Sequence, residues 1–185
     1  MMIMANFVAP QIILISGPPG VGKSTLAKKL AAVLEATHLD KDCIDEPFSP
    51  GDRGKKYSST IEPHVLAALL NLAELNARPG HHIILDVPWT HILLNTPSWK
   101  KRIEVLVRES KAKLMVIECV LSQNQLMKRI RSRGLTRDQV KLTKKGWQNF
   151  QKTDRLGELN PFPHHILDMG QSPKACFNQA LKLLL

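Results

Sequence analysis

Residues 12–26 read IILISGPPGVGKSTL, and this stretch decides the fold. Gly17, Gly22, Lys23 and Ser24 stand at the G-x-x-x-x-G-K-S spacing of a phosphate-binding P-loop. Ahead of them, Ile12, Ile13, Leu14 and Ile15 suit a strand buried on both faces. Behind them, Ala27, Leu30, Ala31 and Leu34 fall at helical spacing in a good helix-forming segment. Strand, loop and helix in that order are the context the motif requires. Glycines at 17, 20 and 22 let the backbone curl so that its N–H groups face inward, with the positive end of the helix dipole behind them. The expected nucleotide site runs through Gly17, Pro18, Pro19, Gly20, Val21, Gly22, Lys23, Ser24 and Thr25. Lys23 would place a point charge on the β- and γ-phosphates, and the Ser24 hydroxyl would be one ligand of a Mg²⁺ ion. ATP is the expected nucleotide, although the motif itself does not separate it from GTP.

The rest of the chain limits what that site can serve. At 185 residues it is expected to form a single domain over 1–185, with 43% hydrophobic and 23% charged residues, as in ordinary globular proteins. No apolar run approaches the length of a membrane span. The first ten residues carry no basic n-region, so they read as an extension leading into the first strand and not as a signal peptide. Cys43, Cys119 and Cys176 lack metal-ligand spacing and leave one thiol over in any pairing, which points to a reducing compartment and hence the cytosol. The net charge of +10 is concentrated: residues 100–155 hold sixteen Lys and Arg against five acids. Such a basic half raises nucleic-acid binding, but aromatics make up only 5% of the chain and supply no stacking platform.

Beyond the first helix the pattern alternates. A short strand over 36–40 ends in Asp40, and the Pro-, Gly- and Lys-rich stretch 41–59 reads as an irregular loop. Ser59 and Glu62 have capping-box spacing, and Val65, Leu66, Leu69, Leu70, Leu72 and Leu75 follow at helical spacing until Arg78, Pro79 and Gly80 stop the helix. A third strand over 82–87 carries Asp86 at its C-terminal end, and residues 89–98 read as irregular before a helix through Ile103, Leu106 and Val107. The fourth strand spans 113–121. Ser122 and Gln125 offer a second capping box, and the helix they open is interrupted at Gly134 before helix resumes from Thr136 towards Trp147 and Phe150. A fifth strand over 164–168 precedes Ser172 and Pro173, an N-cap followed by proline at the first helical position. Strands alternating with helices in this way predict a three-layer α/β fold with a parallel sheet.

The P-loop, together with Leu39–Asp40, Asp86 and the arginines after the fourth strand, resembles the small P-loop kinases of the nucleoside-monophosphate-kinase-like fold. That group includes shikimate and gluconate kinases, chloramphenicol phosphotransferase and the zeta toxins. The resemblance implies a five-stranded sheet in the order 2-3-1-4-5, with ligands beyond the C-terminal strand ends, and a small helical lid at roughly 128–150. It implies Asp40 as the base that takes the acceptor hydroxyl's proton, with Asp42 as the alternative. Asp86 would hold Mg²⁺ with Ser24 or else orient the acceptor. Arg133 and Arg137, with Arg129 next, would grip the transferring phosphoryl, because a guanidinium matches phosphate oxygens and stays charged when water is excluded. The resemblance also implies that Asp168, Met169 and Gly170 lie where such kinases seat adenine. Arg53, Lys55, Lys56 and Tyr57 read as a solvated surface loop, with contact to an anionic acceptor as the alternative. His81, His82, His164 and His165 read as structural residues at strand starts, away from the site, and Trp89, Trp99 and Trp147 as packing residues.

Three functions follow from this pattern. The first is an ATP- and Mg²⁺-dependent kinase acting on a small hydroxyl-bearing molecule. The alternatives are a nucleic-acid 5′-hydroxyl kinase and a non-catalytic nucleotide-binding regulator. Asp86-Val-Pro-Trp89 departs from the Asp-Gly-Phe-Pro-Arg sequence common in nucleoside monophosphate kinases, which argues against that variant.

Overall fold

The computed structural model describes residues 9–49, 55–77 and 81–185. The extension at 1–8, Arg53 and the helix stop at 78–80 lie outside the described residues. The apolar run after Pro10 forms β1 (Gln11–Ser16), which sits at the centre of a five-stranded sheet. Its neighbours are β3 (Ile83–Asp86) and β4 (Lys113–Val120), and β2 (Thr37–Asp40) and β5 (His165–Asp168) form the edges. Every pairing is parallel and the order is β2-β3-β1-β4-β5, as the family resemblance implied. The register puts Ile15 opposite Asp86 and Asp86 opposite Asp40, so the strand-end acids lie level with the start of the P-loop.

Burial on both faces explains why β1 and β3 read as unbroken aliphatic runs. Ile13, Ile15, Ile84 and Ile117 face one core, completed by α1 (Lys23–Leu34), α7 (Gln123–Arg133), α8 (Lys144–Thr153) and α9 (Pro173–Leu184). Ile12, Leu14, Leu85 and Val116 face the other, which is covered by α4 (Glu62–Ala77), α5 (Trp89–Asn95) and α6 (Ser98–Glu109). These are the three expected layers. Within 128–150, Ile130, Trp147 and Phe150 join the same core cluster as β1, so this segment is anchored on the body of the protein by its apolar side. Between α7 and α8 the chain makes a 3₁₀ helix (Thr136–Leu142), entered through Gly134 at φ 64° and left through Thr143, whose hydroxyl accepts from the Gly146 N–H. Ser122 and Ser172 cap α7 and α9 as their positions predict.

Several expectations are corrected. The stretch 41–59 is not wholly irregular: it contains α2 (Lys41–Asp45) and the start of α3 (Lys55–Thr60). Its polar residues converge on one buried knot. Lys41 Nζ donates to Asp45 and, at 2.7 Å, to the Tyr57 hydroxyl, pairs with Glu62 at 2.9 Å, and Tyr57 in turn donates to Asp45. Tyr57 is therefore buried and not on a solvated surface, whereas Lys56 is exposed. Ser59 forms no capping box, because its hydroxyl donates to the Lys56 carbonyl. Residues 89–95 are helical, with Trp89, Ile92 and Leu93 buried one turn apart. On α4, Leu72 and Leu75 face solvent while Ala73 and Ala77 fill the core. β5 is short and starts opposite Ile117, so His164 and His165 are not at the far end of the sheet.

Leu69 is completely buried and Leu75 is 63% exposed. Leu69→Ala is expected to cost about 2–5 kcal/mol and Leu75→Ala at most about 0.5 kcal/mol, measured by urea denaturation. Equal losses would contradict this orientation of α4.

Candidate phosphoryl-transfer site

The site begins where β1 stops. Gly17 has φ 126°, and a Cβ there would lie 2.3 Å from the Cys119 carbonyl oxygen; Gly20 has φ 89°, and a Cβ there would meet Ile130 at 2.8 Å. A side chain at either position would fill the cradle or push it off β4 and α7, and this is why the loop needs glycine there. The loop then feeds α1 through Gly22, placing Lys23, Ser24 and Thr25 in the first turn, where the N–H groups and the helix dipole favour an anion. Lys23 is buried and donates to the carbonyls of Gly17 at 2.9 Å and Pro18 at 3.1 Å. Burial lowers its pKa, while the nearby carboxylate of Asp86 acts in the opposite direction. A desolvated ammonium at the mouth of a backbone cradle fits a polyphosphate, which would replace the two loop carbonyls as its partners.

Beside the cradle, Asp40 ends β2 and caps α2, its Oδ1 accepting from the Asp42 N–H at 2.9 Å. Burial raises its pKa, and the charge of Asp86 raises it further. Asp86 is buried, and its Oδ2 stands 3.5 Å from His38 Nε2. Alternation along β2 puts His38 and Asp40 on one face, a period-two signal that reading Asp40 alone overlooks. The buried, unbonded Oδ2 of Asp86 is an oxygen donor of the kind a divalent cation needs, so this carboxylate fits a metal ligand.

The arginines are present but engaged. Arg129 donates to the carbonyls of Val21 and Met169, both at 2.7 Å, tying α7 to the P-loop and to the turn after β5. Arg133 pairs with Asp138 at 2.5 Å, and Lys141 joins that carboxylate at 2.9 Å. Burial alone would raise the pKa of Asp138, but these two hydrogen bonds prevail and lower it. Arg137 reaches back to Asp42 at 2.8 Å and Glu46 at 3.2 Å, bridging the 3₁₀ helix to α2. Arg133 is also near enough to Lys23 for its charge to depress that lysine's pKa slightly.

On the β4 flank of the P-loop lies a second group of residues, with no motif to announce it. Ser16, Thr90, Glu118 and Asn160 form a buried network: Thr90 Oγ1 donates to Glu118 at 2.6 Å, and the Thr90 N–H donates to Ser16 Oγ at 3.0 Å. Next to it is a cavity of about 130 Å³ that Gly17, His91, Glu118 and Asp154 help to line. Burial raises the pKa of Glu118 and of Asp154, opposed in part by Thr90 and by His91 respectively. His164 also acts on Glu118, so it is not remote from this flank.

The AAA domain family model matches residues 12–155. No curated protein sequence matches the chain. Among solved structures, a chain from Chloroflexus aurantiacus j-10-fl with a provisional assignment as a kinase superposes with a TM-score of 0.74 at 22% identity, covering 96% of this chain and all of its own. A sugar kinase from Janibacter sp. HTCC2649 gives 0.65 at 18% identity over 96% and 95% of the two chains. The APS kinase of Mycobacterium tuberculosis, in complex with AMPPNP and APS, gives 0.62 at 14% identity over 95% and 98%. The fold is that of the small P-loop kinases. Among the described residues no helix is long and apolar enough to cross a membrane.

Glu118 is 2% exposed and its folded pKa lies above the ordinary value of 4.5. A raised folded pKa means a contribution to stability that is complete below the unfolded value and is lost as pH rises through the folded one. Glu118→Gln, which can still accept from Thr90, is therefore expected to be more stable than the parent at neutral pH. That advantage should disappear in thermal melts below about pH 4.5. A variant less stable than the parent at pH 7 would contradict the reading of Glu118 as a strained buried carboxylate.

Proposed function

The chain belongs to the AAA domain family, and on that premise we propose that it is an ATP- and Mg²⁺-dependent kinase for a small hydroxyl-bearing acceptor. The observation that carries this reading is the juxtaposition of Lys23, in its cradle, with Asp40 and Asp86 at level strand ends. Phosphoryl transfer needs positioning and charge stabilisation more than covalent chemistry, and these residues supply both. The loop N–H groups and Lys23 hold the β- and γ-phosphates. Asp40 accepts the proton of the acceptor hydroxyl as its oxygen attacks the γ-phosphorus and the bond to the β-phosphate breaks. Ser24 and Asp86 would hold Mg²⁺, which supplies neutralisation of charge on the phosphates.

For Arg133 and Arg137 to reach the phosphoryl group, they must exchange their carboxylate partners for phosphate oxygens. Arg137 is bonded to Asp42, so the alternative base is neutralised by a lid arginine while Asp40 is not. This favours Asp40. Arg129 acts by fixing α7 against the loop. The basic charge of 100–155 is partly absorbed in these pairs and in cation–π contacts of Lys100, Arg102 and Lys141 with Phe162, Trp99 and Phe150, which favours a small acceptor over a nucleic acid.

A second reading of the acceptor side rests on the cavity by Glu118 and Asp154, with Asp154 in the role of base. Asp40→Asn and Asp154→Asn separate the two. The proposal expects Asp40→Asn to lower kcat by about 10²–10⁴ with nucleotide affinity preserved, and Asp154→Asn to retain most turnover. In the parent enzyme, kcat/KM should fall as pH drops through a pKa above 3.8, because the base works only when ionised and Asp40 is held above that value. Loss of turnover in Asp154→Asn with Asp40→Asn fully active would transfer the role of base to Asp154 and its cavity.

A further inference from the structure

His38, Asp40 and Asp86 bring one imidazole and two carboxylates together, each offering a ligand atom within 4.8 Å of the others. We propose that, in the nucleotide-free protein, this cluster is a binding site for a borderline transition-metal cation of the Zn²⁺ class, distinct from the Mg²⁺ that accompanies a nucleotide. An acidic cluster alone would not support this. Two further facts do. The Asp86 side chain is only 2% exposed and its Oδ2 has no hydrogen bond, and His38 Nε2 is likewise buried and unbonded. At 3.5 Å the pair is too far apart for a good N–H···O hydrogen bond, which lies at about 2.7–3.2 Å.

The separation does suit two ligands of one ion. Atoms each about 2.1 Å from a tetrahedral metal are about 3.4 Å apart. The donor set determines the class of cation: imidazole suits zinc and its neighbours, whereas Mg²⁺ prefers oxygen ligands and keeps much of its water. β2 fixes the arrangement, because His38 and Asp40 are two residues apart on one strand and Asp86 is in register with Asp40 on the next. The site does not depend on the kinase reading. If both hold, they compete, since Asp86 would serve both ions and an ion on Asp40 takes the lone pair that would receive the acceptor's proton.

Cys43 lies beside Asp40 and could bind zinc by itself through its thiol. The test therefore uses the full chain carrying Cys43→Ser, stripped with a chelator and free of nucleotide. Co²⁺ is titrated as a spectroscopic probe and then displaced with Zn²⁺. The expected result is one equivalent of Co²⁺ with the ligand-field bands of a four-coordinate ion, displaced by Zn²⁺ and not by excess Mg²⁺. His38→Gln and Asp86→Asn, each shown by melting in chelator to be folded, should weaken binding at least about tenfold, a loss that even an outer-shell partner can cause. Absence of binding in the Cys43→Ser protein, or binding indifferent to both further substitutions, would overturn the proposal. Neither result bears on ATP turnover, so the kinase reading is tested separately.

Discussion

The ammonium of Lys23 is the constraint around which the rest is arranged. It is a buried charge bonded to two carbonyls of its own loop, and burying a charge is unfavourable unless partners compensate for it. Those partners exist because Gly17 brings the backbone against the Cys119 carbonyl, which no other residue could do without displacing β4. Asp86, level with Ile15, supplies the carboxylate whose field opposes the desolvation of Lys23. The cradle, the central strand and the third-strand acid are thus one electrostatic unit, and a polyphosphate is the ligand that satisfies it best.

The donor side was legible because its signals are local. A P-loop is eight consecutive residues, β1 and β3 are aliphatic runs, and caps such as Ser122 and Ser172 act within one turn. The knot of Lys41, Asp45, Tyr57 and Glu62 was not legible: each member is a polar residue typical of a loop, and beside the local Lys41–Asp45 pair it takes Tyr57 and Glu62 from further along the chain to close it. The network of Ser16, Thr90, Glu118 and Asn160 was missed for the same reason, its members coming from four separate segments. Leu72 and Leu75 lie in the helix their spacing predicts, but that spacing does not show which side faces the core, because Ala73 and Ala77 pack there although their small side chains weigh little in a hydrophobic pattern.

The arginines show where sequence and structure give complementary information. Their density after β4 suggested a phosphate grip, whereas the structure gives each one a partner: loop carbonyls for Arg129, Asp138 for Arg133, and Asp42 with Glu46 for Arg137. These bonds hold the 3₁₀ helix against α2 and α7 against the P-loop. An arginine that leaves a carboxylate for a phosphate gains less than its full pairing energy, because one charged partner is exchanged for another.

The central claim is that Gly17 to Ser24 holds the phosphates of a nucleoside triphosphate. It is tested most directly by titrating ¹⁵N-labelled protein with a non-hydrolysable ATP analogue and Mg²⁺ while following backbone amide resonances. The account predicts saturable shifts that are largest at Gly20, Gly22, Lys23 and Ser24. Shifts centred on Thr90, Glu118 and Asp154 with the loop amides unmoved would contradict it.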